Sequence, residues 1–168
     1  MQVIWAPGIK EEQVRLFVGP QSDYYLKSWE KMQAKGTKNN GNLSVFLVGI
    51  ISLPAWLLYR KLYKVFAYYA GFGLLLSACE AVGFLKIDLP SGIVSYYNFF
   101  ALIFFTIRGN YIYKFHVEQK LTKILSTYKE DHIMSEISKQ GGTNIILAIL
   151  SGLLITFCLF ANLIISNV

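Results

Sequence analysis

Charged residues are scarce in this sequence, and the shortage bounds its class. Only 15% of the residues are charged, against about 25% in soluble domains. The deficit comes from long runs with no charge, while 54% of the chain is apolar and the mean hydropathy is +0.43. An ordinary soluble domain is excluded, and a membrane protein is expected. Cysteine is equally sparse. Cys79 and Cys158 both sit inside apolar runs, far apart and without metal-ligand spacing, so neither a disulfide framework nor a zinc site is indicated. The opening residues, MQVIWAPGIKEEQVRLF, lack a basic region followed by an apolar one. A cleaved signal peptide is therefore not expected, and insertion falls to internal segments.

Catalytic signatures are missing as well. No HExxH, CxxC, GxxxxGK or GxSxG occurs. Asp131 and His132 are adjacent, and neighbours on a helix do not face each other, so they make a poor metal or catalytic pair. No catalytic residue, metal or cofactor is expected, and the chain reads as non-enzymatic. The net charge of +6 reads as the positive bias of cytoplasmic segments rather than as a nucleic-acid interface.

What the sequence does have is four apolar stretches. Leu43 to Tyr59 is interrupted by Gly49, Ser52 and Pro54; Val65 to Leu85 carries Glu80 as its single charge; Ile93 to Ile107 and Ile145 to Ile165 carry none. A membrane-spanning helix needs about 20 apolar residues. The expected fold is an all-α integral membrane protein with three transmembrane helices (65–85, 93–113 and 145–165). A re-entrant or interfacial helical hairpin at 43–64 and a cap of cytoplasmic amphipathic helices complete it.

The basic residues set the orientation. If all four stretches cross, nine lysines and arginines face seven, whichever way the chain is oriented. If the first stretch returns instead, fifteen of the sixteen lie inside and only Lys86 lies outside. Orientation follows the Lys/Arg bias of short loops, so a cytoplasmic N-terminus, a returning first stretch and a periplasmic C-terminus are expected. Pro54 supplies a bend for the hairpin. Trp56, Tyr59 and Tyr63 would then lie at the interface, with Arg60, Lys61 and Lys64 reaching headgroups.

Two cytoplasmic pieces complete the chain. Residues 1–42 form a polar helical segment containing KEEQVRLFV and then DYYLKSWEKMQAK, where Tyr25, Trp29 and Met32 share one face. In 114–142, Val117, Leu121, Ile124 and Tyr128 recur at helical spacing, extending the third span as an amphipathic helix. Gly141-Gly142 end this region. The Tyr25–Trp29 stripe is expected to pack against helix 111–129.

Four blocks in order, YYLKSWEKM, PAWLLYRKLY, RGNYIYKFHVEQK and GGT before a final apolar run, resemble the bacterial family labelled domain of unknown function 2628. The resemblance runs from about Phe17 to the last span. It implies a small multi-pass protein of the bacterial inner membrane and supplies no active site.

The candidate binding residues lie at the cytoplasmic face. They are Trp56, Tyr59, Arg60, Lys61, Tyr63 and Lys64 of the basic block, together with Arg108, Asn110 and His116. Basic groups at the inner ends of spans receive anionic headgroups; the plainer reading has Arg108 snorkelling and His116 bonded to the N-terminal helix. Glu80 is the intramembrane ionisable candidate, although near the outer end of its span it also reaches interfacial water. The function expected is that of an accessory or scaffold subunit docking a partner or anionic lipid. The alternative is a small oligomeric transport subunit lined by Glu80 and Arg108. Membrane lipid, another membrane protein or a second copy are the partners anticipated, and nucleic acid is not.

Overall fold

The computed structural model describes residues 3–38, 53–83 and 92–165, with side chains in the last helix described to 155 and at 157. Its regular structure among these residues is entirely helical. In chain order the helices are α1 (Glu11–Val18), α2 (Ser22–Ala34), α3 (described over 53–59), α4 (Tyr63–Ala81), α5 (Gly92–Thr127), α6 (Glu130–Gln140) and α7 (Ile145–Ile165). Of these, α5 is long and apolar enough to cross a membrane by length and composition. The first ten residues of the expected hairpin and most of the loop around Lys86 lie outside the described residues.

The chain divides into two compact units. One comprises 1–42 and 107–144, the other 43–106 and 145–168. The N-terminal segment shares a unit with the second half of α5. The amphipathic stretch extends the preceding apolar one across 113/114, as its spacing predicts. A single helix runs through it, because neither proline nor paired glycine occurs between Gly92 and Thr127.

The first unit is built on a helical stripe. Tyr113, Val117, Leu121 and Ile124 recur at three- and four-residue spacing on α5, and all are at most 2% exposed. Against this stripe stand Val14, Phe17 and Val18 of α1, Tyr25, Leu26, Trp29 and Met32 of α2, and Ile137 of α6, all buried in the same unit. The expected docking of the α2 aromatic stripe on α5 is present. Tyr25 and Trp29 lie 4.7 and 6.0 Å, ring to ring, from Tyr113, in the tilted and edge-on arrangements that aromatic quadrupoles favour. Trp29, Asn110 and Ser28 pair their buried polar atoms in this contact. The Trp29 Nε1–H donates to the Asn110 carbonyl at 2.8 Å, and the Asn110 amide donates to the Ser28 hydroxyl at 2.8 Å.

Two turns hold the smaller helices. At the end of α2, Thr37 N–H donates to the Met32 carbonyl and Gly36 N–H to the Gln33 carbonyl, with Gly36 at φ 57°. This is a Schellman cap, and its left-handed position suits glycine. At the end of α6, Gly141 and Gly142 do more than stop the helix. Gly141 N–H donates to the Ile137 carbonyl at 2.8 Å, while Gly142 N–H reaches the Phe17 carbonyl at the end of α1 at 2.6 Å. A Cβ on Gly141 would lie 2.6 Å from the Phe17 carbonyl oxygen and 2.8 Å from the Phe17 Cα. Only glycine permits this backbone-to-backbone clasp.

In the second unit, α4 and the first half of α5 pair through polar and aromatic contacts. Tyr69 and Tyr97 stack at 5.4 Å, Tyr97 donates to the Tyr69 carbonyl at 2.8 Å, and Tyr69 donates to the Asn98 side chain at 2.6 Å. Further along, Phe72 meets Tyr97 and Glu80 meets Ile93, so the two helices run antiparallel.

Candidate functional site

The basic block folds as a helix end. After α3, Leu62 N–H donates to the Leu57 carbonyl at 2.9 Å and Lys61 N–H to the Leu58 carbonyl at 3.1 Å. Lys61 occupies the left-handed position with φ 56°. These two bonds form a Schellman cap with lysine where glycine is usual, and its flanking apolar pair, Leu57 and Leu62, is fully buried. The left-handed conformation costs a lysine roughly 1–2 kcal/mol relative to right-handed geometry. The chain then enters α4 at Tyr63, two residues before the start expected from hydropathy.

This turn sorts the six candidate residues of the block. Trp56 and Arg60 are 5% and 3% exposed, so these two side chains turn inward rather than toward headgroups. The cause is helical spacing: Arg60 follows Trp56 by four residues and shares its face. The Arg60 guanidinium lies 5.1 Å from the Tyr59 ring centre, a cation–π geometry. Tyr59 and Lys61 are half-buried, while Tyr63 and Lys64 are exposed. The residues the block presents outward are thus Tyr63 and Lys64, with Lys61 partly so.

The second group does not form one cluster. Asn110 is 1% exposed and is fixed to α2 by its bonds with Trp29 and Ser28. His116 is half-buried, and its ring lies 6.5 Å from that of Phe17 on α1. Arg108 is half-buried. In the same unit Lys114 pairs with Glu118 at 2.6 Å and lies 4.9 Å from the Trp5 ring centre. Trp5 in turn packs edge-on against Trp29 at 5.6 Å. Arg15 donates to Asp23 and Glu11, and these two bonds, the one to Asp23 first, raise its pKa further above its ordinary value. The group stays charged at every accessible pH. Arg15 and Asp23 are exposed and Glu11 is half-buried, so these surface pairs contribute little to stability.

Glu80 has a structural partner. Its carboxylate accepts the Ile93 N–H at 3.3 Å, in the first turn of α5. Four N–H groups at a helix start have no partner in the helix, and the helix dipole favours an anion there. Gly92 makes room: its φ is 72°, and a Cβ would lie 2.8 Å from the Glu80 Oε1. The lone acid of α4 therefore caps the next helix.

Sequence reasoning missed Tyr69, Tyr97 and Asn98. Their polar atoms bond to one another inside an otherwise apolar pair of helices, and nothing in their spacing along the chain marks them as neighbours. Beside them α4 and α5 leave an open cleft of about 460 Å3, lined by Val65, Tyr68 and Phe72 on one side and Phe100, Ala101 and Phe104 on the other. A second cleft, of about 440 Å3, lies in the first unit between Ile4, Trp29, Thr37, Lys38 and Lys114. Lys38 lies 5.4 Å from the ring centre of Tyr111 at its edge. Among the described residues no three His, Cys, Asp or Glu side chains gather as a metal site.

No curated protein and no solved structure matches the chain. A family model, described as a protein of unknown function (DUF2628), matches residues 19–119. That interval covers α2, α3, α4 and most of α5, including the Tyr25–Trp29–Tyr113 stack, the capped basic turn and the Glu80–Ile93 bond. The chain belongs to the family of proteins of unknown function DUF2628.

Proposed function

We propose that the protein is a non-enzymatic accessory or scaffold subunit of the bacterial inner membrane, docking a partner or anionic lipid at its cytoplasmic face. In this reading α4, the first half of α5 and α7 are three spans, residues 43–64 form a hairpin that returns to the inner face, the N-terminus is cytoplasmic and the C-terminus periplasmic. The observation that carries it is the single helix α5. Its 36 residues are well beyond the about 20 that a membrane span needs. The apolar first half suits the bilayer, and the second half supplies the core stripe of a folded helical unit. Lys61, Tyr63 and Lys64 stand where α4 begins, and aromatic and basic groups at that level favour headgroups or an acidic partner surface.

The transport alternative has no specific observation in its favour, since Glu80 is engaged at the start of α5. The test compares the lipids and proteins that co-purify with the full chain in mild detergent, for wild type and for Lys61→Glu/Lys64→Glu. Loss of a retained species in the charge-reversed protein is expected. An unchanged set would count against docking at this face.

A further inference from the structure

The cleft between α4 and α5 has the shape and chemistry of a single-chain lipid site. None of its lining residues is charged. Tyr68, Phe72, Phe100 and Phe104 on its walls are 79, 51, 64 and 53% exposed, so the walls are open to an apolar occupant. Its floor makes no polar demand on an occupant. The Tyr69 and Tyr97 hydroxyls are already bonded to Asn98 and to the Tyr69 carbonyl. The cleft is also directional. Lys64 lies four residues before Tyr68, so the two share a face of α4. Phe72 follows Tyr68 by a further four, placing the farthest wall residue of α4 about 12 Å along the axis from Lys64. By this spacing Lys64 stands one turn before the first aromatic wall residue of the cleft, with Lys61 three residues earlier in the capped turn.

We infer that this cleft binds one acyl chain of a glycerophospholipid with a net negative headgroup, whose phosphate is held by Lys64. Charge complementarity selects this occupant. A second copy of the chain would cover the aromatic walls but would leave the lysine without a role. The inference rests on the membrane reading above and names the ligand of its docking face. The chain packs against Tyr68, Phe72, Phe100 and Phe104, and the floor hydroxyls stay in their own bonds.

The full-length protein is reconstituted in nanodiscs of phosphatidylcholine mixed with phosphatidylglycerol, then extracted in mild detergent, and retained lipid is identified by native mass spectrometry. Wild type is expected to retain phosphatidylglycerol in preference to phosphatidylcholine. Lys64→Gln should reduce that preference about fivefold, the equivalent of ~1 kcal/mol for one basic residue at the headgroup level. Ala101→Phe fills the trough and should remove retained lipid of both kinds while leaving Lys64 in place. Ala101→Leu gives a smaller block that reads the same way if the phenylalanine impairs folding. Full retention in both Ala101 variants overturns the inference, and so does a preference indifferent to Lys64→Gln. A dimer that Ala101→Phe dissociates, without retained lipid in wild type, overturns it in favour of a second copy. If Lys61→Glu/Lys64→Glu changes what co-purifies while the Ala101 variants change nothing, the cleft inference fails and the docking reading stands. If neither set of variants changes anything, both fail.

Discussion

Replacing Gly141 by alanine tests the clasp that closes the first unit. The glycine has φ −76° and ψ −161°, an extended conformation that does not require glycine. Alanine could therefore adopt its backbone conformation, and would gain about 0.4–1 kcal/mol by restricting the unfolded chain. Opposing this, the new Cβ would meet the Phe17 carbonyl oxygen at 2.6 Å, the Ile137 carbonyl oxygen at 2.8 Å and the Phe17 Cα at 2.8 Å. All three are backbone atoms at helix ends and cannot rotate away. Overpacking of this kind costs typically 1–3 kcal/mol, and moving α1 off α6 also strains the 2.6 Å bond from Gly142 N–H to the Phe17 carbonyl. The net expectation is a loss of about 1–2 kcal/mol. Hydrogen exchange of the purified protein would show it as faster exchange confined to α1 and α6. The neighbouring glycine is a matched control. Gly142 has φ 70° with nothing within 4 Å of an added Cβ, so Gly142→Asn, which tolerates that conformation, should be mild. Gly141→Asn should be as harmful as alanine. Wild-type exchange in Gly141→Ala would refute the clasp.

Three further outcomes follow from the same geometry. Lys61→Gly should leave stability unchanged or raise it by up to about 1 kcal/mol, whereas Lys61→Val should lower it by roughly 1–2 kcal/mol, because a β-branched residue resists the left-handed cap; thermal unfolding in detergent measures both. Glu80→Ala should free the first turn of α5 and cost about 0.5–2 kcal/mol, the range for a lost helix cap, while Glu80→Gln keeps an acceptor and should cost less; exchange at Ile93 reports the difference. Trp29→Phe should lower the stability of the first unit by roughly 2 kcal/mol, combining a lost buried hydrogen bond to Asn110 with a partly emptied core position. Chemical unfolding followed by far-UV circular dichroism would detect it, and a loss below about 0.5 kcal/mol would contradict the burial described.

Much of the helical layout was legible because it rests on local rules. The Tyr25–Trp29–Met32 stripe and the Val117–Leu121–Ile124–Tyr128 stripe are period-3.6 patterns, and both are buried in one unit except Tyr128, which lies past the end of α5 and is exposed. Gly141-Gly142 read as a stop because paired glycines end helices, but the clasp onto Phe17 involves a partner more than a hundred residues away, which no local pattern encodes. The division at residue 42 followed composition, whereas the first compact unit joins both ends of a long insertion. Helical spacing also governs the basic block. Trp56 and Arg60 read as interfacial because charge and aromaticity were weighed without the face they occupy. Glu80 stood out as a lone acid, yet its partner is a backbone N–H, and backbone donors at helix starts leave no trace in side-chain sequence. The Tyr69–Tyr97–Asn98 cluster was invisible for the same reason: its members meet only when α4 and α5 pair.

The most direct test of the membrane account is a set of reporter fusions after residues 42, 62, 89, 130 and 168 in the native host. The account predicts that 42, 62 and 130 report cytoplasmic while 89 and 168 report periplasmic. A periplasmic signal at 62 would contradict it, because the capped basic turn would then lie on the wrong side of the membrane for the docking face it is proposed to form.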